Sequence, residues 1–206
     1  MRNFLSQEMI LRIPALLLSI TIHEYAHARV SYALGDPTPK MTGRLSLNPL
    51  NHLDPLGLLM LWFFRFGWAK PVQINPYYYE NRKKGTILVS IAGPLSNLML
   101  AFTTLTLLKM SVFKGFAQSF LYVLYMYNVV LAVFNLIPIP PLDGSKILMG
   151  FLSGRNAYEY SKLESYGPIL LILAVYLGLL NVILDPLIDI AWSGLDFLTN
   201  ILLFRY

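Results

Sequence analysis

Hydrophobic residues in this chain fall into long runs separated by short polar segments. The runs long enough to cross the roughly 30 Å apolar core of a bilayer as helices are 10–34, 85–108, 116–139, 165–184 and 187–204. Only Asp185 and Pro186 separate the last two runs. The pattern therefore predicts five spanning helices.

A shorter run, 53–66, lies between the first two spanning helices, and it predicts a re-entrant or interfacial segment. Short alternating segments on either side, 43–47 and 71–74, predict two strands that pair beside the membrane, since backbone at that depth must be paired or buried. The predicted fold class is an all-α polytopic membrane protein with about five to six transmembrane helices. A short membrane-associated β-hairpin or re-entrant segment would lie between the first and second of them.

The composition agrees with a protein that is solvated by lipid. Hydrophobic residues make up 56% of the 206 residues and charged residues 13%, against about 25% charged in soluble domains. The length predicts a single membrane-embedded domain, 1–206, with its core in 10–150 and accessory helices in 165–204. We find no basic face interleaved with aromatic residues, so the net charge of +5 does not indicate nucleic acid as a partner.

The positive charges predict an orientation in the membrane. If 53–66 does not cross, all of the 16 Lys and Arg residues except Arg2, Arg12, Lys109 and Lys114 fall on one side. Cytoplasmic segments carry the excess of positive charge. We therefore expect a multi-pass protein of the cell membrane with its N-terminus outside and its C-terminus inside.

The first predicted helix carries the sequence His23-Glu24-Tyr25-Ala26-His27. A spacing of four places both imidazoles on one helical face, where they can bind one zinc ion. Glu24 can reach a water on the metal and act as its general base. The alternative is a set of ordinary polar residues at a helix end, but ionisable residues within a membrane run are costly and usually functional.

A catalytic zinc takes three protein ligands and keeps an open position. The chain has no cysteine, so the third ligand is His52 or a carboxylate. Asp143 is the best candidate, because it follows the run 116–139 at the depth that the two histidines reach. The alternative for Asp143 is an Asp-Gly turn. The alternatives for His52 are a place in the active site, a second metal site, or a structural role capping 53–66 with Asp54.

These two regions together resemble the site-2 protease family of intramembrane metalloproteases. In that family an HExxH motif on one helix meets an N-x-x-P-x-x-x-x-D-G segment on another. Asn135, Pro138, Asp143 and Gly144 fit that spacing. Further stretches similar to bacterial members are 43–49, 52–55, 67–72 and 92–97. The resemblance covers about residues 20–150.

The resemblance implies one zinc per chain with Asp143 as its third ligand, and an active site toward the cytoplasmic side. It implies that the substrate is a transmembrane helix of another protein, often already trimmed by a different protease. Asn135 would stabilise the transition state or position the substrate, with its amide donating to the developing oxyanion. The alternative for Asn135 is a helix-interrupting residue that bonds to local backbone.

Four further residues are candidate substrate contacts. Val72 and Ile74 lie on the predicted strand 71–74, which could add an edge to an unfolded substrate or pair internally with 43–47. Asn97 could hold the substrate strand or bond across helices. Pro138 lies in the proline-rich segment beside which the substrate would unwind.

The sequence predicts an intramembrane zinc metalloendopeptidase whose partners are the bilayer and a membrane-protein substrate. A catalytically silent metal-binding scaffold or a transporter is the alternative. A transporter needs several ionisable residues along a path, and the later runs offer almost none. A serine protease would need a Ser with a histidine partner outside the zinc motif, and only His52 remains for that role. An aspartyl protease would need two intramembrane Asp residues, and only Asp143 is well placed.

Overall fold

The computed structural model describes residues 7–54, 57 and 70–204 of the chain. The α-helices in this part are α1 (Gln7–Ala33), α2 (Thr38–Met41), α3 (Arg82–Lys109), α4 (Phe116–Asn135), α5 (Asp143–Phe151), α6 (Gly154–Ser161), α7 (Gly167–Tyr176) and α8 (Leu179–Phe204). Single 3-10 turns cover Pro49–Asn51, Pro76–Tyr78 and Lys162–Ser165. Most of the predicted re-entrant segment, 53–66, lies outside the described residues.

Helix α3 lies at the centre of the bundle and packs against α1, α4, α5 and α8. Small residues occupy the helix crossings, and Ala15, Ala28, Ala101 and Ala132 have no exposed surface. Side chains of this size let helix backbones approach closely, which is how helices commonly pack when lipid surrounds them.

Two apolar clusters attach the C-terminal helices to this bundle. The first joins α3, α4 and α8 through Ala101, Tyr125, Val129, Val133 and Leu195. The second packs the segment between α4 and α5 against α7 and α8 through Ile137, Leu142, Leu171 and Leu180. The segment that leads to Asp143 is therefore held between the bundle and the last two helices.

The number of spanning helices is lower than predicted. By length and composition, α3 and α4 can each cross a membrane, and α7 with α8 forms a third candidate that is bent by 84°. Helix α1 has 27 residues, but polar residues such as Arg12, His23 and Glu24 keep it below the apolar character of these helices. The prediction of five to six spans is therefore wrong for the described residues.

The break between the last two helices also differs from the prediction. Pro186 lies inside α8, and the chain turns at Gly178 instead, where φ is +69°. A proline inside a helix removes one backbone hydrogen bond without having to end the helix, whereas a positive φ does end it and suits glycine.

The predicted β-hairpin is wrong, because no sheet forms among the described residues. The segments 43–47 and 71–74 find other hydrogen-bond partners. The amide of Arg44 donates to a carbonyl of α2, at 2.8 Å. The amide of Val72 donates to the carboxylate of Glu24, at 3.0 Å. Side chains and local turns thus take the place of the neighbouring strand.

Candidate metal centre

Three ligand-type side chains meet where α1 approaches the beginning of α5. His23 Nε2 lies 3.0 Å from His27 Nε2 and 3.1 Å from Asp143 Oδ2. His27 Nε2 lies 2.9 Å from the same Asp143 oxygen. All three residues are buried, with exposed fractions of 6%, 7% and 6%. They form the one group of metal-ligand type found among the described residues.

The local structure explains how these side chains meet. The spacing of four on α1 stacks the two imidazoles edge to face, with ring centroids 4.6 Å apart. Asp143 is the first residue of α5, where the helix dipole favours a negative charge. Gly144 lets α5 begin against the preceding turn, because a Cβ there would overlap the carbonyl group of Leu136.

Helix α3 packs against the two imidazole rings at Gly93. A Cβ at this position would overlap His27 Nε2 and His23 Cε1. The side chain of any other residue would therefore displace the ligands or push α3 away from α1. The absence of a side chain at Gly93 is therefore required by the arrangement of the ligands as well as by the packing of α3 against α1.

The hydrogen bonds of the outer ring nitrogens define the tautomers. His27 Nδ1 lies 2.7 Å from the carbonyl oxygen of Val89, which can only accept. His23 Nδ1 lies 2.6 Å from Asn97 Oδ1. In the neutral rings the protons are therefore on Nδ1, and each Nε2 directs a lone pair at the carboxylate oxygen of Asp143.

Three acceptor atoms thus converge without a proton donor between them. Such a group repels itself unless a proton on one Nε2 or a metal cation lies among its members. Two imidazole nitrogens and a carboxylate oxygen are ligands that zinc commonly takes, and three protein ligands are typical of a catalytic site. The residues present therefore fit a zinc ion.

Glu24 lies beside the ligands and has a separate hydrogen bond. Its Oε2 accepts from the amide of Val72, and the residue lines the same cavity of about 110 Å³ as the three ligands. This places a carboxylate next to the ligand set without making it part of the set.

Besides Glu24, three of the predicted substrate and catalytic residues line this cavity: Val72, Ile74 and Asn135. Asn135 ends α4 and its Nδ2 donates to the carbonyl of Leu131 at 2.9 Å. One hydrogen of that amide is therefore used locally, and the amide carries a second.

The other three singled-out residues lie elsewhere. Asn97 has no exposed surface, and its side chain bonds to His23 and to neighbouring helices. Pro138 lines a different, apolar groove of about 520 Å³ between α4 and α8. His52 is buried in its loop, with Nε2 2.7 Å from the carbonyl of Ser46, and it is not part of the ligand group.

Two cavity residues with polar side chains were not identified from the sequence. Lys146 Nζ lies 3.5 Å from Asp143 Oδ1, and its position one turn after Asp143 could have indicated it. Ser90 is buried, and its Oγ has no hydrogen-bond partner among the described residues. Its location depends on how α3 crosses α1, so no local pattern marks it.

The carboxyl group of Asp143 is stabilised in its charged form. Burial on its own raises its pKa, but the contacts with His23, His27 and Lys146 outweigh burial and hold the pKa well below its usual range. The group is therefore an acceptor, as a metal ligand must be.

Comparison with known proteins gives a consistent result. Residues 109–177 match the family model of peptidase family M50. YwhC of Bacillus subtilis is 38% identical over 183 residues, which are 84% of each chain. Rip2 of Mycolicibacterium smegmatis is 30% identical over 180 residues, or 84% of this chain and 69% of Rip2.

A further relative extends the comparison to an archaeon. The zinc metalloprotease MJ0392 of Methanocaldococcus jannaschii is 33% identical over 168 residues, which are 81% of this chain and 42% of MJ0392. No solved structure matches the chain.

Proposed function

This chain belongs to peptidase family M50, the site-2 protease family, and from that premise we propose that it is an intramembrane zinc metalloendopeptidase. Its substrates would be peptide bonds in or near the transmembrane segments of other membrane proteins. The observation that carries the proposal is the buried group of His23, His27 and Asp143 with Glu24 beside it.

One zinc per chain would be held by His23 Nε2, His27 Nε2 and Asp143 Oδ2. When bound, the metal supplies Lewis-acid activation of water and of the scissile carbonyl. Glu24 is held through Oε2 by the amide of Val72, which leaves its other oxygen for proton transfer. That oxygen takes a proton from the attacking water and delivers it to the leaving nitrogen.

Asn135 would contribute to transition-state stabilisation. Its amide hydrogen that is not bonded to Leu131 can donate to the oxygen of the scissile carbonyl as negative charge develops there. Its position on the cavity wall, at the end of α4, supports this role.

The substrate segment would approach from the side of the C-terminal helices. The apolar groove between α4 and α8 includes Pro138 and leads along the segment between α4 and α5. The substrate would unwind beside Asn135 and the prolines, with Val72 and Ile74 contacting it at the cavity. We further propose a multi-pass protein of the cell membrane with this cavity toward the cytoplasm, on the basis of the charge distribution.

The test combines metal content with cleavage. Elemental analysis of detergent-purified protein is expected to give about one zinc per chain in the wild type and in Glu24→Gln, and none in His23→Ala or Asp143→Ala. Glu24→Gln is expected to cleave a reporter membrane protein about 10²- to 10⁴-fold more slowly. Glu159→Gln is the matched control, because Glu159 is exposed and pairs with Lys162 on the surface.

Three outcomes would contradict the proposal in different ways. Normal cleavage by Glu24→Gln would exclude this residue as the base. Zinc retained in Asp143→Ala would place the third ligand elsewhere. A folded wild type without metal would favour the silent scaffold.

A further inference from the structure

Three polar side chains lie inside the helix bundle behind His23. Ser19 of α1, Asn97 of α3 and Asn128 of α4 each have no exposed surface. Buried amides and hydroxyls are costly unless they are hydrogen-bonded. Here they hydrogen-bond to each other and to backbone. The donor and the acceptor of each bond can be assigned in turn along this network, which ends at the proposed metal ligand His23.

The assignment of donors and acceptors starts from a backbone carbonyl, because a carbonyl can only accept a hydrogen bond. Asn128 Nδ2 donates to the carbonyl of Leu124 and to Ser19 Oγ, both at 2.8 Å. The Ser19 hydroxyl gives its own hydrogen to the carbonyl of Ala15 at 2.8 Å. The oxygen of the Asn128 amide is therefore the atom that faces Asn97.

The orientation of Asn97 follows from these contacts. Its Nδ2 donates to Asn128 Oδ1 at 2.7 Å and to the carbonyl of Ser19 at 3.1 Å. Both amide hydrogens are used, so Oδ1 is directed at His23 Nδ1. A flipped Asn97 amide would lose both bonds and would direct its N–H groups at the ring, which selects the tautomer with the proton on Nε2.

We propose that Asn97, oriented by Asn128 and Ser19, is a positioning residue that holds His23 in the Nδ1–H tautomer and so makes Nε2 available to the metal. This inference rests on the proposed function, since it concerns how that metal site binds zinc. His27 receives the equivalent support from a main-chain carbonyl, that of Val89. Only the tautomer of His23 therefore depends on side chains that can be replaced.

The first test measures zinc affinity by chelator competition and records the visible spectrum with Co²⁺ in place of zinc. Asn97→Leu keeps the size of the side chain and removes the acceptor, and is expected to bind zinc about 10- to 100-fold more weakly. Asn97→Asp keeps an oxygen at His23 Nδ1 but loses the donor to Asn128 and to Ser19, so it is expected to bind zinc more tightly than Asn97→Leu and more weakly than the wild type.

The matched control is Thr104→Val. Thr104 is buried on the same helix, and its hydroxyl bonds to carbonyls of its own helix, those of Leu100 and Ala101. Its replacement removes a buried polar group from α3 without altering the contacts of His23. Zinc affinity in this variant is expected to equal that of the wild type.

The second test needs no substitution. Nitrogen-15 NMR of ring-labelled histidines in the metal-free wild type distinguishes the two tautomers, and the chain has 3 histidines. At a pH where the His23 ring is neutral, its proton is expected on Nδ1.

A His23 proton on Nε2, or wild-type zinc affinity in Asn97→Leu, would overturn the inference and leave the proposed function standing. A folded wild type that binds no zinc would overturn the proposed function, and the inference with it.

Discussion

Two buried polar networks surround α1, one within the bundle and one at its C-terminal end. The first, which we call the ligand network, consists of Ser19, Asn97 and Asn128 and ends at His23. The second, the Asp36 network, is centred on the carboxylate of Asp36, which follows α1. Both lead to the cavity of the candidate metal centre, but they reach different groups in it.

The Asp36 network bonds mainly to backbone. Asp36 has no exposed surface. Its Oδ1 accepts from the amide of Thr38 at 2.9 Å, and its Oδ2 accepts from the amide of Asn75 at 2.7 Å and from Ser31 Oγ at 2.8 Å. Three residues before Asn75, the amide of Val72 bonds to Glu24.

The difference indicates that the two networks support different groups of the site. The ligand network contains no charge, which suits its place among the helices, since a charge there would be costly. It sets the tautomer of a metal ligand. The Asp36 network uses a charge where loop amides can satisfy it, and it holds the segment that contacts Glu24, the proposed base. Disturbing the ligand network should therefore weaken zinc binding, whereas disturbing the Asp36 network should lower turnover while zinc remains bound.

The largest effect is expected from Gly93→Ala, on the ligand side of the comparison. The added methyl group overlaps both imidazoles, and overpacking of this kind costs about 1–3 kcal/mol, or up to on the order of 100-fold in zinc affinity. Chelator competition measures the loss. Gly194→Ala in α8, where a Cβ meets nothing within 4 Å, is the control and should bind zinc normally. Equal affinity in both variants would contradict the geometry of the centre.

The next effect is expected from Asp36→Asn, on the other side. The amide keeps one acceptor oxygen and presents N–H groups to a backbone donor, and hydrogen bonds to charged groups are worth about 1.5–3 kcal/mol. We expect turnover to fall by about 10-fold, because the segment that carries Val72 loosens around Glu24. Zinc affinity should remain within about twofold of the wild type. A loss of zinc with normal turnover would reverse the assignment of the two networks.

The pH dependence of stability sharpens the same comparison. Burial by itself raises the pKa of Asp36, but hydrogen bonds from Thr38, Asn75 and Ser31 outweigh it and lower the pKa below its ordinary value. A carboxyl group with a lowered pKa stabilises the fold above its unfolded pKa of about 3.9, and this contribution is lost as the pH falls through the folded value. Denaturation at a series of pH values should show the difference between wild type and Asp36→Asn shrinking below about pH 4. A constant difference would contradict a charged Asp36.

The sequence predicted the elements whose causes are local. The apolar runs at 85–108 and 116–139 correspond closely to α3 and α4, because continuous apolar character reports a lipid-facing helix directly. Helical spacing likewise predicted that His23 and His27 share a face. Asp143 was proposed from its depth and from the family motif, and the structure places it with the two histidines.

The parts that could not be predicted depend on contacts between distant segments. Alternating polarity at 71–74 suggested a strand, but the acceptor for Val72 is a side chain 48 positions earlier. The direction of the Asn97 amide depends on carbonyls of two other helices. These contacts depend on how the helices cross, and a single sequence does not show those crossings.

The smallest effect is expected from Ser90→Ala, which tests where Ser90 belongs. Its hydroxyl lines the cavity beside Glu24 and is buried without a partner among the described residues, while its neighbour Val89 supports His27. We expect the hydroxyl to bond to the reacting water or the substrate carbonyl, so turnover should fall about two- to fivefold, as for one neutral hydrogen bond. Thermal stability should not decrease, because the substitution removes an unpaired buried polar group. Zinc affinity should be unchanged, and a fall in affinity with normal turnover would instead assign Ser90 to the support of the ligands.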